Sequence, residues 1–325
     1  MVILKEIQIG KNEANQRVDK FLKKFLPKAP LSFIYKVIRK KNIKVNKLRV
    51  DNTYILQEND EIQIYINDDT MLAYREEKKI LPININFTVI YEDENILLVG
   101  KPRGLLVHGD AHEKNNTLIN QVLKYLYDRG EYNPSFEKTF VPASANRLDR
   151  NTSGIIIVGK NNLAVQNLNE MIRNYHNIRK YYLALIFGKF TKERTLEGRL
   201  LKDRALNKVI LAEEEDAKEI KTIVRPRKIF KDYSLVEVEL ITGRSHQIRL
   251  HLASIGHPIV GDSKYGDNNI NRQLKNDFGF ENQFLHAYKL HFEHCIGSLK
   301  YLEGKSFVCP LPKELIKIEE AVTAF

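Results

Sequence analysis

The sequence predicts an α+β protein in two units, the larger one built on a mixed or antiparallel sheet. Three observations lead there. The chain has 325 residues, more than one average domain needs. Before residue 67, two amphipathic helix patterns are followed by short alternating segments. From residue 83 onward, apolar runs rich in β-branched residues outnumber helical stretches and do not alternate regularly with them, which argues against a doubly wound parallel fold. The domain limits expected are therefore 1–66 for the small unit, 67–82 for a linker and 83–325 for the large unit.

Val18, Phe21, Leu22 and Phe25 fall on one face of a helix, with Lys20, Lys23 and Lys24 opposite. Pro27 and Pro30 end that helix and start a turn. Ser32 is the expected N-cap of a second short helix, buried through Phe33 or Ile34 with Val37 and Ile38. Alternation at Ile43-Lys44-Val45, Leu48-Arg49-Val50 and Ile62 to Ile66 predicts strands, with Asn46-Lys47 as a tight turn. Residues 67–82 are polar, mixed in charge and weakly periodic, a linker that is partly helical at most.

In the large unit, strands are expected at Phe87–Tyr91, Ile96–Val99, Ile155–Val158, Tyr181–Phe187 and Leu235–Ile241. Helices are expected at Thr117–Tyr127 and Asn162–Tyr175. No internal repeat is present.

Charge is unevenly placed. Lys and Arg total 52 against 41 acids, a net charge of +11. From Arg17 to Arg49 there are twelve Lys/Arg and one acid, Asp19, so this segment carries the whole net charge. Charge concentrated on one small unit is the footprint of a polyanion-binding module. Only two cysteines occur, Cys295 and Cys309, which excludes a disulfide framework. No apolar run reaches signal or membrane-helix length. A cytoplasmic protein with reduced thiols is expected.

Several chemistries lack their motifs. There is no glycine-rich nucleotide cradle and no serine nucleophile elbow. His108 and His112 are four apart, but Gly109 stands where an HExxH motif has its glutamate, which suits a surface loop better than a metal. His246 and His251 are spaced too loosely to imply a metal. No cofactor and no metal are expected.

Three segments are dense in functional groups. Arg147-Leu-Asp149-Arg-Asn-Thr-Ser-Gly154 places one acid between two arginines in a turn before a core strand. Flanking guanidinium groups favour an ionised carboxylate, suited to a nucleophile or base. Lys180-Tyr181-Tyr182 opens a strand with an aromatic pair, which serves as core or stacks on an unpaired base. Thr242 to His251, continuing through Gly256 to Asp262 and Tyr265-Gly266, packs many polar donors beside an apolar strand. Burying them unpaired is costly, so they face a site or one another.

The basic unit resembles the S4 RNA-binding domain, through Arg17-Val-Asp-Lys-Phe-Leu, Ile43-Lys-Val-Asn and Asn59-Asp-Glu-Ile. Over nearly the whole chain, the motifs resemble the RluA family of pseudouridine synthases. The matching stretches are Tyr91-Glu-Asp-Glu-Asn, Lys101-Pro-Arg-Gly-Leu-Leu-Val-His108, Arg147–Gly154, Lys180–Leu185, Gly243–Arg249 and Phe284-Leu-His-Ala287. The combination with an S4-like unit is similar to the branch of C- and D-type enzymes that act on large-subunit ribosomal RNA. Asn146 departs from the pattern, since most members have His there, and Gly100 and Arg103 replace other small or polar residues.

The resemblance implies a mainly antiparallel central sheet flanked by helices. It implies isomerisation of uridine to pseudouridine in 23S ribosomal RNA, without a cofactor, on a uridine flipped out of the stack. Asp149 is implied as nucleophile or base, Arg249 as its ion-pair partner, and Tyr182 as a stacking residue with a role in C5 deprotonation. Arg147 is implied to fill the space left by the base or to steady phosphate. Arg17, Lys20, Lys36, Arg39, Lys40 and Lys44 are expected to meet RNA phosphate. A monomer whose partner is ribosomal RNA, with no membrane association, is expected. The rival readings are a non-catalytic RNA-binding assembly factor and a nucleoside hydrolase. Hydrolases of glycosidic bonds use two carboxylates, and only Asp149 is placed by a motif.

Overall fold

A computed structural model describes residues 2–76, 79–203, 208–212, 214 and 216–323. The small unit comprises β1 (Val2–Gln8), α1 (Val18–Phe25), α2 (Leu31–Arg39), β2 (Ile43–Val45), β3 (Leu48–Arg49), β4 (Glu61–Asn67) and α3 (Asp68–Tyr74). Its four strands lie in the order β1-β4-β2-β3. The turn between β2 and β3 uses Asn46 and Lys47, both at positive φ, as a tight hairpin between right-twisted strands requires.

Val18, Phe21, Leu22 and Phe25 of α1 and Ile34, Val37 and Ile38 of α2 form one core with Ile43, Ile62 and Ile64. The helices lie where their apolar faces meet the sheet. One expectation changes. The N-cap of α2 is Pro30, with no side-chain cap, so Ser32 sits inside the first turn. Residues 68–74, within the stretch read as a linker, form α3, capped by Asn67. Met71 of α3 is buried in the small unit's core. Tyr74 packs against the same core, its ring 4.8 Å from that of Phe33, so two apolar side chains one turn apart secure the helix.

The larger unit begins with β5 (Thr88–Glu92), β6 (Ile96–Lys101), α4 (Leu118–Asp128), β7 (Ala143–Ser144), β8 (Ser153–Gly159) and α5 (Asn162–Arg173). It continues through β9 (Ile178–Phe187), β10 (Arg194–Asp203), β11 (Lys208–Leu211), β12 (Lys218–Ile229), β13 (Tyr233–Leu240) and α6 (Gln247–Ser254). It ends with α7 (Asn268–Phe278), β14 (Leu285–Phe292), β15 (Ser306–Val308) and α8 (Lys313–Thr323). Eleven strands form one mixed sheet, with the path β11-β10-β12-β13-β9-β14-β8-β6-β5, and β15 and β7 beside it. Among the described pairs only β14 with β8 is parallel; the rest are antiparallel.

Helices cover both faces. On one half, Leu97, Val99, Ile156 and Val158 meet Leu118, Val122 and Leu126 of α4, while Ile96, Leu98, Ile155 and Ile157 meet Leu168 and Met171 of α5. β8 is buried throughout, which accounts for its unbroken apolar run. On the other half, Ala184, Ile186, Val236 and Val238 meet Ile248 and Leu252 of α6. Leu185 and Leu235 meet Leu315, Ile318 and Val322 of α8.

The two units touch through polar groups. The Asn12 side chain donates to Glu137 at 3.0 Å and accepts the Asn162 N–H at 3.2 Å. Among the described residues, no helix is long and apolar enough to cross a membrane.

Candidate active site

The octet 147–154 forms the turn between β7 and β8. The Thr152 N–H donates to the Asp149 carbonyl at 3.1 Å. Gly154 has φ +118° where β8 meets β14, and a Cβ there would overlap the Ala287 backbone, so only glycine fits. Leu148 packs against both the α4 and the α6 cores. Asp149 thus stands at the seam between the two halves of the sheet.

The guanidinium that meets Asp149 is not that of a sequence neighbour. The Arg150 Nε donates to the Gly104 carbonyl at 3.1 Å. Arg147 is exposed and lies near His108, whose pKa is lowered by burial first and by that positive charge second. The flanking pair read from the motif therefore does not hold Asp149. Arg249, in the first turn of α6, donates from Nη1 to Asp149 Oδ2 at 2.8 Å. Its Nε and Nη2 donate to Asp262 at 2.7 and 2.8 Å. Asp262 Oδ1 also accepts the N–H groups of Lys264 and Tyr265, at 2.8 and 3.1 Å.

One guanidinium therefore serves two carboxylates, one sealed and one reachable. The Asp262 side chain has no exposed surface, whereas that of Asp149 is 28% exposed. Burial opposes the Arg249 charge, but Asp262 and then Asp149 outweigh it and hold the guanidinium ionised above its ordinary range. Burial likewise opposes the Asp262 charge. Arg249 and the two backbone N–H groups outweigh it and hold that carboxyl below its usual range.

The start of α6 is set by its own polar groups. The Gln247 side-chain carbonyl accepts from the Thr242 hydroxyl at 2.8 Å and the Arg244 N–H at 3.1 Å, while its amide donates to the Lys221 carbonyl and Thr222 hydroxyl at 3.0 and 2.9 Å. The dense donors of 242–251 thus face one another and the site. His246, just before the helix, has φ +54°. Its Nε2 lies 3.8 Å from Asp149 Oδ2.

Tyr182, in the middle of β9, is buried in the α6 core. Burial and then the Asp149 charge push its phenol above the ordinary range. Lys101 is also buried. Its ammonium donates to the carbonyls of Pro102, Leu105 and Arg150 at 2.9, 2.8 and 3.0 Å, one acceptor for each of its three protons. Burial draws its pKa down to about 7, while Asp149 favours the cation. Lys101 thereby ties the loop after β6 to the Asp149 turn.

Asn146 has a backbone role. Its side chain donates to the Ile155 carbonyl at 3.2 Å and accepts the Ile157 N–H at 2.8 Å, bonding as a neighbouring strand would. Arg103 stacks over Phe280, 4.6 Å from the ring centroid, and pairs with Glu314 at 3.3 Å.

The basic residues of the small unit divide into two groups. Lys20, Lys36, Arg39 and Lys40 are exposed. Arg17 instead forms a two-pronged pair with Asp19, at 3.1 and 2.7 Å, and Lys44 lies 5.2 Å from the Tyr65 ring centroid.

Sequence reading did not single out Lys101, His246 or Asp262 as site residues, though each lies inside a motif it quoted. A buried-type lysine before Pro102 and an acid after Gly261 were the available signals.

Residues 95–254 match the family model described as RNA pseudouridylate synthase. The chain is 33% identical to the ribosomal large subunit pseudouridine synthase C of Haemophilus influenzae, covering 90% of this chain and 88% of that protein. The identity to the enzyme of the same name from Escherichia coli K12 is also 33%, over 90% and 89%. An uncharacterized RNA pseudouridine synthase of Mycoplasma capricolum is 33% identical over 92% of this chain and 95% of its own length. Among solved structures, human RNA pseudouridylate synthase domain containing 4 shares the fold, with a TM-score of 0.56 and 22% identity over 72% of this chain and 92% of that one.

Proposed function

The chain belongs to the RNA pseudouridylate synthase family, and from that premise we propose that it converts specific uridines of large-subunit ribosomal RNA to pseudouridine at Asp149. It is an RNA pseudouridine synthase, an isomerase. The observation that carries the site assignment is the arrangement Asp149–Arg249–Asp262. It holds one reachable carboxylate in a fixed direction beside a fixed positive charge, at the meeting point of the sheet's two halves.

The reaction breaks the N1–C1′ bond of uridine, turns the freed uracil and joins C5 to C1′. N1 gains a proton and C5 loses one, so the formula is unchanged. A stacked base has no room for this rotation, so the uridine is flipped out. Asp149 acts on the sugar, either by attack at C1′ or by removing a sugar proton. Both roles require an ionised carboxylate aimed at one place, which Arg249 supplies. Tyr182 offers the flat wall against which the uracil stacks. Arg147 is exposed beside the Asp149 turn and either fills the vacated stack or steadies phosphate.

The small unit is the S4-like anchor. Lys20, Lys36, Arg39 and Lys40 meet RNA phosphate, with Arg17 and Lys44 shaping that surface through Asp19 and Tyr65. Substrate and protein meet in the cytoplasm, with the protein as a monomer. The test is tritium release from ribosomal RNA labelled at uracil C5, with wild type and Asp149→Ala side by side. Release by the wild type and none by the variant, at equal RNA affinity, is expected. Release by both removes Asp149 from its role. Release by neither, with tight RNA binding, favours an assembly factor, and free uracil in the product favours a hydrolase.

A further inference from the structure

His246 occupies a position that the proposed roles of Asp149, Arg249 and Tyr182 leave unused. It is a non-glycine residue in the left-handed region, φ +54°, a conformation that costs energy and is kept where surroundings enforce it. Its side chain is 19% exposed and its Nε2 is 3.8 Å from the reachable oxygen of Asp149. Its other nitrogen, Nδ1, is 3.0 Å from the Tyr265 hydroxyl. That hydroxyl accepts the Val209 N–H at 3.0 Å and donates to the Val209 carbonyl at 3.3 Å. Val209 lies on β11, the edge strand, so Tyr265 satisfies both of its outward-facing backbone groups.

The hydrogen-bond count selects one tautomer. A phenol oxygen has one proton to donate and two lone pairs. With the proton on the Val209 carbonyl, the lone pairs take the Val209 N–H and an N–H from His246 Nδ1. All three hydrogen bonds are satisfied only if Nδ1 carries the hydrogen. Nε2 then presents a bare lone pair beside Asp149. The distance of 3.8 Å, outside hydrogen-bonding range, agrees with a lone pair facing a carboxylate. Charged groups acting on the ring are Asp149, Arg249, Lys264 and Asp262, and burial keeps the imidazole in its neutral form.

We propose that His246 is the base that takes the C5 proton, through Nε2, after C5 has joined C1′. This rests on the pseudouridine synthase reading of the same site. C5 becomes bonded to the carbon on which Asp149 acts, so a lone pair 3.8 Å from that carboxylate is placed for the C5 hydrogen. The C5–H electron pair returns to the uracil ring as the C5=C6 double bond. The proton moves to Nε2 and from the partly exposed ring to water, while N1 takes a proton from water. Tyr182 is poorly suited to this step. A base must first be deprotonated, and both burial and the Asp149 charge oppose a phenolate there.

The test uses the full chain and large-subunit ribosomal RNA carrying either tritium or deuterium at uracil C5. His246→Asn and His246→Gly both tolerate the left-handed backbone. Each is expected to slow release by roughly 10²- to 10⁴-fold, with RNA affinity within about twofold of wild type. The deuterium isotope effect at C5 should grow in both variants, because loss of the base makes that step limiting. Added imidazole should restore part of the rate in His246→Gly, where it has room, and not in His246→Asn. Wild-type rates in either variant overturn the assignment. So does a slow rate without a larger isotope effect, the result expected if His246 only props the helix start. Failure of the wild type itself to release tritium removes the function reading and this inference together.

Discussion

The two units of this protein use charge in opposite ways. The small unit carries the whole net charge of the sequence on a few dozen residues, and Lys20, Lys36, Arg39 and Lys40 stand out in solvent. Around Asp149 the buried charges are few and are held by fixed partners. Arg249 meets Asp149 and Asp262, and Lys101 meets three carbonyls. Exposed charges act additively and are screened by salt. Buried ones act as a set, because removing one strands another in a medium that does not solvate it. The first arrangement suits attraction to a long polyanion, the second the orientation of a single reacting group.

This contrast gives its largest effects in the pocket. Arg249→Lys keeps the charge but not the fork that reaches both carboxylates. It should lower kcat by roughly 10²- to 10³-fold, the loss typical of one catalytic hydrogen-bond donor, with RNA affinity unchanged. Asp262→Asn leaves the Arg249 charge half-paired in a buried place and should destabilise the fold by about 3–5 kcal/mol. Single-turnover kinetics measure the first and chemical denaturation the second. If both variants behave like wild type, the pocket is as tolerant as the basic surface and the contrast fails.

Acid should also separate the units. His251 is a buried residue of α6, with Nδ1 2.9 Å from the Thr222 hydroxyl, and burial pulls its pKa down to about 4. The unfolded chain protonates this ring near its ordinary value of 6.5. Between the two values the unfolded state holds the extra proton, so stability falls as pH drops through 6.5 and continues falling to about 4. The full loss is about 3 kcal/mol. His286, also buried, adds in the same direction. Residues 1–82 contain no histidine. Hydrogen exchange at about pH 5, between those two values, should therefore show weakened protection in β12, β14 and α6 before the small unit. His251→Gln should flatten that pH dependence.

Much of this was legible because local pattern and environment agree. The stripe Val18, Phe21, Leu22, Phe25 predicts a helix, and its residues are buried together. The run Ile155–Val158 predicts a strand buried on both faces, which β8 is. β1 was not read, because Val2–Gln8 acquires its strand only by pairing with β4, far along the chain. The β10–β12 region was missed for a related reason. It is rich in Lys, Arg and Glu, and its strands are held by neighbours more than by apolar alternation. α6 was not read as a helix because its opening is written in polar groups. Gln247 bonding to Thr242 and Thr222 is a tertiary fact. The same holds at the site. The motif places Asp149 and sets Arg147 and Arg150 beside it in the chain, and only the family resemblance, not spacing, points to Arg249. Which arginine meets it depends on bringing residue 249 beside residue 149.

The smallest effects are expected on the basic surface. Each of Lys20, Lys36, Arg39 and Lys40 is exposed, so replacing one with Gln removes a screened, near-additive contribution. Every phosphate no longer neutralised should reduce the slope of log affinity against log salt by about 0.7–0.9. All four changes together should lower that slope by about 3 if every one of these side chains meets phosphate. Affinity should fall most at low salt and converge with wild type at high salt. The rate at saturating RNA should stay constant, because none of these side chains is bonded to the Asp149 site. Arg17→Gln should depart from this additivity. Its guanidinium is already committed to Asp19, so its removal frees a carboxylate at the start of α1 and disturbs the fold there as well as the surface charge. Titrations across salt concentrations read both cases. A slope unchanged by the fourfold variant would mean that the RNA is held elsewhere. A fall in the saturated rate would mean that the two units are not as separate in function as their charges are in kind.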